Sequence, residues 1–90
     1  MLILNNRVYR GHQAIRGVFE KLFRIFDDGQ NRIDTPVLEG RIVYITWHFT
    51  PTGDQEFFGT DTFVIEDGKI VVQTIASPLY DRYQVRSEVE

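Results

Sequence analysis

The sequence predicts a single α+β domain, in which one long helix packs on an antiparallel sheet of about four strands. Three observations predict it: an apolar period of 3.6 residues over residues 12–28, runs of β-branched and aromatic residues over 41–76, and an Asp67-Gly68 turn between two of these runs. A helix followed by antiparallel strands is typical of domains in which the helix covers one face of the sheet. The domain is predicted to span residues 1–80, followed by a polar C-terminal tail over 81–90.

The composition excludes several classes of function. The net charge is −3 without a dense run of Lys or Arg, so we expect no nucleic acid and no anionic membrane as partner. With no cysteine and two histidines there is little to build a metal site, and we expect no metal and no cofactor. The absence of cysteine and of a long apolar run favours a cytoplasmic protein.

The elements follow one another in a simple order. Residues 2–10 suit a short edge strand or a pair of extended pieces, and residues 12–28 form an amphipathic helix that Gly29 ends. The remaining predicted strands are a Pro36-containing edge strand at 33–38, a strong strand at 41–50, a third at 55–66 after the turn at 51–54, and a last one at 70–76.

The Asp67-Gly68 turn predicts the register of the last hairpin. Both turn positions need a positive φ, which Asp-Gly adopts readily, and counting outward pairs Asp61 with Thr74 and Phe63 with Val72. Asp61 then lies on an apolar face. Burying an unpaired carboxylate costs several kcal/mol or keeps the group protonated, so this acid is the candidate functional residue.

The preceding hairpin extends the candidate site. If the loop at Thr52-Gly53 is symmetric, Tyr44 pairs with Asp61, whereas a one-residue bulge would exchange the two faces. Under the symmetric register, Asp61, Tyr44 and His48 are candidate catalytic residues: an acid or base, a group that holds a carbonyl, and a proton exchanger. The candidate ligand-binding residues on the same face are Ile42, Thr46, Phe57, Phe63 and Thr74. A Tyr–Asp hydrogen bond with a purely structural role explains the pair equally well, and His48 near the turn is more simply a solvated side chain.

The order of these segments resembles the nuclear-transport-factor-2-like superfamily, in particular its SnoaL-like polyketide cyclase branch. The resemblance covers residues 8–77, and its most specific part is Gly-x-Asp-x-Phe at 59–63 followed by Asp-Gly-Lys-Ile at 67–70. It implies a shortened cone-shaped, cystatin-like fold whose curved sheet encloses a hydrophobic pocket, with the acid at Asp61 directed into the pocket.

The resemblance also predicts what completes the fold. Members usually have one or two further N-terminal helices that roof the pocket, and this sequence lacks them. One helix covers only about 10–12 Å, whereas four strands at about 4.8 Å spacing are wider. We therefore expect a homodimer through the sheet face opposite Asp61, made of Val43, Ile45, Trp47, Phe49, Phe58, Val64, Val71 and Ile75.

Two functions remain open. The first is a small-molecule-binding protein for an apolar ligand, with cyclase- or isomerase-like catalysis through Asp61 left undecided; it predicts a cavity beside Asp61 and Tyr44. The second is a noncatalytic homodimerisation or accessory module without a ligand, which predicts a filled core in which Asp61 is bound internally. The scaffold alone does not decide between them.

Overall fold

In the computed structural model, which describes residues 1–85, one helix lies across a curved, open sheet. The elements in chain order are β1 (Leu2–Leu4), β2 (Arg7–Tyr9), α1 (His12–Phe26), β3 (Gly29–Ile33), β4 (Val37–Glu39), β5 (Ile42–Pro51), β6 (Phe57–Glu66), β7 (Lys69–Ala76) and α2 (Pro78–Arg82). Within the described residues the sheet runs in the order β2-β1-β7-β6-β5-β3, and β4 also pairs with β5. The predicted α+β class is confirmed, although short strands raise the strand number to seven and the β1–β7 pair is parallel.

The helix α1 forms where the apolar period predicts it. Its buried stripe consists of Ala14, Val18 and Leu22, spaced by one helical turn, so that one side of the helix packs on the sheet. The helix ends at Phe26 with Asp27 as its C-cap, two residues before the predicted end, because Gly29 already begins β3.

The predicted register between β5 and β6 is wrong by one residue. Tyr44 pairs with Thr62 and Ile45 pairs with Asp61, instead of Tyr44 with Asp61. The last pair before the loop is Phe49 with Phe57, which excludes the symmetric pairing, and the Thr52 hydroxyl donates to Asp28 Oδ1, outside the hairpin, at 2.7 Å. A shift of one residue turns every side chain of β5 to the other face.

The hairpin of β6 and β7 keeps its predicted turn but not its predicted register. Asp67 and Gly68 have φ of 50° and 73°, and Ile65 pairs with Ile70 as expected. A bulge then follows: Val64 pairs with Val72, so Val71 is the extra residue on β7. Beyond the bulge Asp61 therefore lies opposite Ile75, and the predicted pairing with Thr74 is wrong.

These two shifts exchange the predicted faces of β5 and β7. The concave face, which α1 covers, carries Ile45, Trp47 and Phe49 from β5 and Ile75 from β7, and three of these are almost fully buried. Trp47, Phe49 and Ile75 are therefore core residues and do not form the predicted dimer contact. The convex face carries the alternate residues of β5, among them Ile42 and Tyr44.

The segment after β7 closes the core. Ser77 caps α2 by accepting the backbone N–H of Leu79 at 3.2 Å, and it donates its hydroxyl to the carbonyl of Phe58 at 2.7 Å. Tyr80 and Val85 are buried in the core cluster. The proposed division at residue 80 stays a prediction, and the last part of the predicted tail, 86–90, lies outside the described residues.

Candidate functional site: an apolar cavity beside Asp61

A cavity of about 200 Å³ lies between α1 and the concave face of the sheet. It exists because α1 contacts the sheet mainly along β3 and β5, while the sheet curves away beneath it. The lining side chains are mostly apolar: Phe19, Leu22, Phe23, Phe26, Asn31, Ile33, Ile45, Trp47, Asp61, Ile75 and Tyr80. An apolar enclosure with a few polar groups is the usual composition of a small-molecule site.

The cavity reaches the surface between α1 and β3. Two of its lining side chains, Phe23 on the helix and Ile33 at the end of β3, are 68% and 61% exposed. In contrast, Trp47 and Tyr80 on the inner wall are only 6% and 2% exposed. The cavity therefore has an apolar mouth and a buried floor.

Asp61 is held on this floor by the indole of Trp47. The indole Nε1–H donates to Asp61 Oδ1 at 2.9 Å, a well-formed hydrogen bond. The other carboxyl oxygen, Oδ2, accepts from Gln73 Nε2 at 3.5 Å, which is at the limit for such a bond. One oxygen of the carboxyl group is thus firmly bound, and within residues 1–85 the second has only a long contact.

Gly59 makes the position of the Trp47 indole possible. Gly59 pairs with Trp47 across the two strands, and the six-membered ring of the indole lies where a Cβ atom of residue 59 would be. Any larger residue at this position would overlap the ring. In the Gly-x-Asp sequence at 59–61, Gly59 leaves space for the Trp47 ring, and Asp61 provides the acceptor for the indole N–H.

Burial is the main influence on the acid. Removal of the Asp61 carboxyl from water raises its pKa above the ordinary value of 3.8, and the hydrogen bonds from Trp47 and Gln73 lower it by a smaller amount. Among the described residues, no Lys, Arg or His lines the cavity. The protonated form of Asp61 is therefore favoured more than in a solvated aspartate.

Tyr80 is the second ionisable group of the cavity wall. Burial raises the pKa of its hydroxyl far above the ordinary value, and the neighbouring Asp61 carboxylate raises it further. The hydroxyl consequently stays protonated and remains a hydrogen-bond donor. Its ring packs 6.0 Å from that of Trp47.

The predicted site residues are divided between the two faces. Asp61, Phe57 and Phe63 share the concave face because they alternate along β6, but only Asp61 lines the cavity. The placement of the other five beside Asp61 is wrong, because the register shifts turn them to the convex face; they are Ile42, Tyr44, Thr46, His48 and Thr74.

His48 and Thr46 belong to a separate polar cluster on the convex face. The Thr46 hydroxyl donates to Asp34 Oδ2 at 2.7 Å, and His48 Nε2 lies 3.7 Å from the same oxygen. His48 Nδ1 lies 3.4 Å from Glu56 Oε2. These contacts connect three parts of the chain at the sheet surface. They lie on the face of the sheet opposite the cavity.

Residues 1–85 contain neither a metal-binding cluster nor a membrane-spanning helix. Nowhere in this range do three or more His, Cys, Asp or Glu side chains come together in a way that would hold a metal ion. No helix of the same range has the length and apolar character needed to cross a membrane.

Sequence reasoning missed Tyr80, Trp47 and Gln73. Tyr80 had a usable signal, because Ser77-Pro78 is a typical helix start that would have predicted α2 and an inward side chain within its first turn. No sequence pattern placed Trp47 and Gln73 beside Asp61. The face on which each side chain lies depends on the β5–β6 register and on the bulge in β7, and neither is visible in the local sequence.

A protein-family model for the SnoaL-like domain matches residues 4–73 of this chain. Among solved structures, a designed protein with a curved β-sheet matches with a TM-score of 0.76 at 14% identity, over 92% of this chain and 67% of its own. A proposed SnoaL-like polyketide cyclase from Jannaschia sp. CCS1 matches with a TM-score of 0.68 at 17% identity, over 99% of this chain and 71% of its own.

AclR, a proposed hydroxylase from Streptomyces galilaeus, matches with a TM-score of 0.60 at 17% identity, over 99% of this chain and 69% of its own. No curated protein matches the sequence. At these identities, the likeness to solved structures establishes the fold and not the reaction.

Proposed function

The chain belongs to the family of SnoaL-like domains, and from this premise we propose that it binds a small apolar molecule in the cavity between α1 and the sheet. The observation that carries the proposal is a carboxyl group on the floor of an apolar cavity of about 200 Å³, with one oxygen bound by Trp47 and the other weakly engaged. The apolar wall would supply binding, and Asp61 would orient the ligand.

Toluene is a suitable probe because it is apolar and small enough for the cavity. We expect saturation-transfer NMR to detect toluene bound to the protein, and Trp47, the single tryptophan of the chain, to report the same binding by its fluorescence. The Ile45→Phe variant adds a ring to the cavity wall and should weaken toluene binding at least ten-fold.

The matched control is Ile42→Phe, the same change on the same strand but on the exposed convex face. It should bind toluene as the unmodified protein does, with both variants confirmed as folded by circular dichroism. Failure of the unmodified protein to bind toluene, or equal binding by Ile45→Phe, would refute the proposal.

The catalytic form of the proposal assigns Asp61 the role of acid and base. Cyclisations and isomerisations of carbonyl compounds commonly begin with removal of a proton from the carbon next to the carbonyl. Asp61 Oδ2 would take that proton and return it, while the Tyr80 hydroxyl would donate to the developing enolate oxygen. Tyr80 thereby takes the role that the sequence assigned to Tyr44.

Deuterium exchange tests this step directly. In D₂O, 2-indanone should exchange the C–H bonds beside its carbonyl for C–D bonds faster with the protein than without it. Asp61→Asn should abolish the acceleration, and Asp34→Asn, which alters a carboxyl of the convex face, should preserve it. An unchanged exchange rate in Asp61→Asn would remove the catalytic role and leave the binding role intact.

The alternative, a noncatalytic homodimerisation module, is favoured by one observation: exposed apolar side chains on the convex face. Ile42, Tyr44 and Phe58 are all more than a third exposed there. This face replaces the predicted contact surface, much of which is buried in the core. Sedimentation at micromolar concentration should show a dimer that Ile42→Lys weakens. The control Ile70→Lys, which changes a more exposed isoleucine near the β6–β7 turn, should leave the dimer intact. A stable monomer would contradict it.

A further inference from the structure

We propose that the ligand of this cavity is a neutral molecule of one or two fused flat rings that carries a hydrogen-bond donor, the chemical class of indoles and phenols. This inference rests on the proposed binding function and adds the size, shape and polarity of what is bound. Each of the three properties follows from a separate feature of the cavity.

The size follows from the volume. An engineered apolar cavity of about 150 Å³ holds benzene. By proportion, a cavity of about 200 Å³ accommodates about eight non-hydrogen atoms. One ring with a substituent meets this limit, and the smallest pairs of fused rings, with nine non-hydrogen atoms, exceed it by about one atom. A molecule of three or more fused rings would have to extend into water through the mouth between α1 and β3 or displace α1 from the sheet.

The shape follows from the rings in the wall. Five of the lining side chains are aromatic, namely Phe19, Phe23, Phe26, Trp47 and Tyr80. Phe26 and Trp47 already meet edge to face, with centroids 5.4 Å apart and an interplanar angle of 78°. Aromatic pairs prefer such edge-to-face or offset arrangements, so a flat ring inserted among these side chains gains more than its buried area alone provides.

The polarity follows from the hydrogen bonds of Asp61. The Trp47 Nε1–H is a donor only, and it is already bound to Oδ1 at 2.9 Å. Among the described residues Oδ2 has only the 3.5 Å contact with Gln73, so in the ionised form of Asp61 it is the carboxyl oxygen with capacity left to accept a hydrogen bond from a ligand. A ligand N–H or O–H would satisfy it. An anionic ligand would meet a carboxyl group in a wall that, among the described residues, contains no positively charged side chain.

Indole and indene provide a matched pair of ligands. They have the same ring skeleton and the same number of non-hydrogen atoms, but only indole has an N–H group. Isothermal titration calorimetry should show that indole binds about ten-fold more tightly than indene, a ratio equal to about 1.4 kcal/mol. Carbazole, which adds a third ring and keeps the N–H, should bind at least ten-fold more weakly than indole.

The Asp61→Asn variant tests whether the Asp61 side chain accepts the hydrogen bond from the ligand N–H. Its amide oxygen still accepts from Trp47, so its NH₂ group replaces the free acceptor and the preference for indole over indene should disappear. Asp34→Asn on the convex face should keep the preference. The comparison of indole with indene in the unmodified protein does not require any variant to fold.

The outcomes separate this inference from the function on which it rests. Equal affinity for indole and indene in the unmodified protein would overturn the assigned polarity, while the binding function would stand. Carbazole binding as tightly as indole would overturn the assigned size. If the unmodified protein does not bind toluene, the proposed function itself fails.

Discussion

Replacing Gly59 by alanine tests whether the Trp47 indole must lie against β6 to reach Asp61. The added methyl group would occupy the position of the six-membered ring of the indole, so the ring or the strand must move. Overpacking of this kind costs about 1–3 kcal/mol. If the displaced indole also loses its bond to Asp61, a hydrogen bond to a charged group adds about 1.5–3 kcal/mol. When both contributions are lost, we expect a decrease of about 2.5–6 kcal/mol in the free energy of unfolding.

The same change in a Trp47→Phe background isolates the contact. Phenylalanine lacks the indole atoms that the new methyl group would overlap, and it has no N–H to lose. In that background we expect Gly59→Ala to change the free energy of unfolding by less than about 1 kcal/mol in either direction. When the bond to Asp61 is also lost, the coupling between the two positions is then at least about 1.5 kcal/mol, a size measured for residues in contact.

Urea denaturation followed by far-ultraviolet circular dichroism measures all four proteins without relying on tryptophan fluorescence. Gly40→Ala is the control, because Gly40 has a φ of 55° and open space around a Cβ atom, so its cost comes from the backbone alone. That cost should be equal in both backgrounds. If Gly59→Ala is also equally costly in both, the indole does not depend on Gly59 and our account of how Asp61 is held is wrong.

Two further predictions concern Asp61 and Ser77. Because burial raises the pKa of Asp61 above 3.8, the folded protein keeps this proton at pH values where the unfolded chain has lost it. Stability should therefore fall as the pH rises from the ordinary pKa through the raised one, and urea titrations of Asp61→Asn over this range should lack that part of the slope; an identical slope would contradict the assignment. Ser77→Ala leaves the Leu79 N–H and the Phe58 carbonyl without their partner and should cost about 1–3 kcal/mol in thermal or urea unfolding, whereas a neutral effect would mean that water replaces both bonds.

Local sequence patterns predicted α1 and the β6–β7 turn correctly, because each of them depends only on residues that are close together in sequence. The apolar stripe of α1 needs only the helical period, and the turn at Asp67-Gly68 needs only two residues that tolerate positive φ. Asp61 on the apolar face of β6 likewise follows from alternation with Phe63 along one strand. These features do not depend on what the rest of the chain does.

The neighbours of Asp61 were not predictable in the same way. The loop from Thr52 to Gln55 is bonded to Asp28 just after α1, and its Asp54 accepts from Arg82 at the end of α2 and from Tyr83 just after it. The shift of one residue accompanies these contacts between residues far apart in sequence, which no local pattern contains. The bulge at Val71 adds a second such shift on β7.

The register decides the chemistry of the site as well as its neighbours. In the predicted register Asp61 would face the hydroxyl of Tyr44, which both donates and accepts and so transmits a proton. In the observed register it faces Trp47, whose N–H only donates and does not transmit one. Asp61 therefore exchanges its proton through Oδ2, whose contact among the described residues is with Gln73. Gln73 does not titrate, so the proton would pass to a ligand or to water. For this reason a molecule bound in the cavity, and not a hydrogen-bonded side chain, would exchange the proton with Asp61.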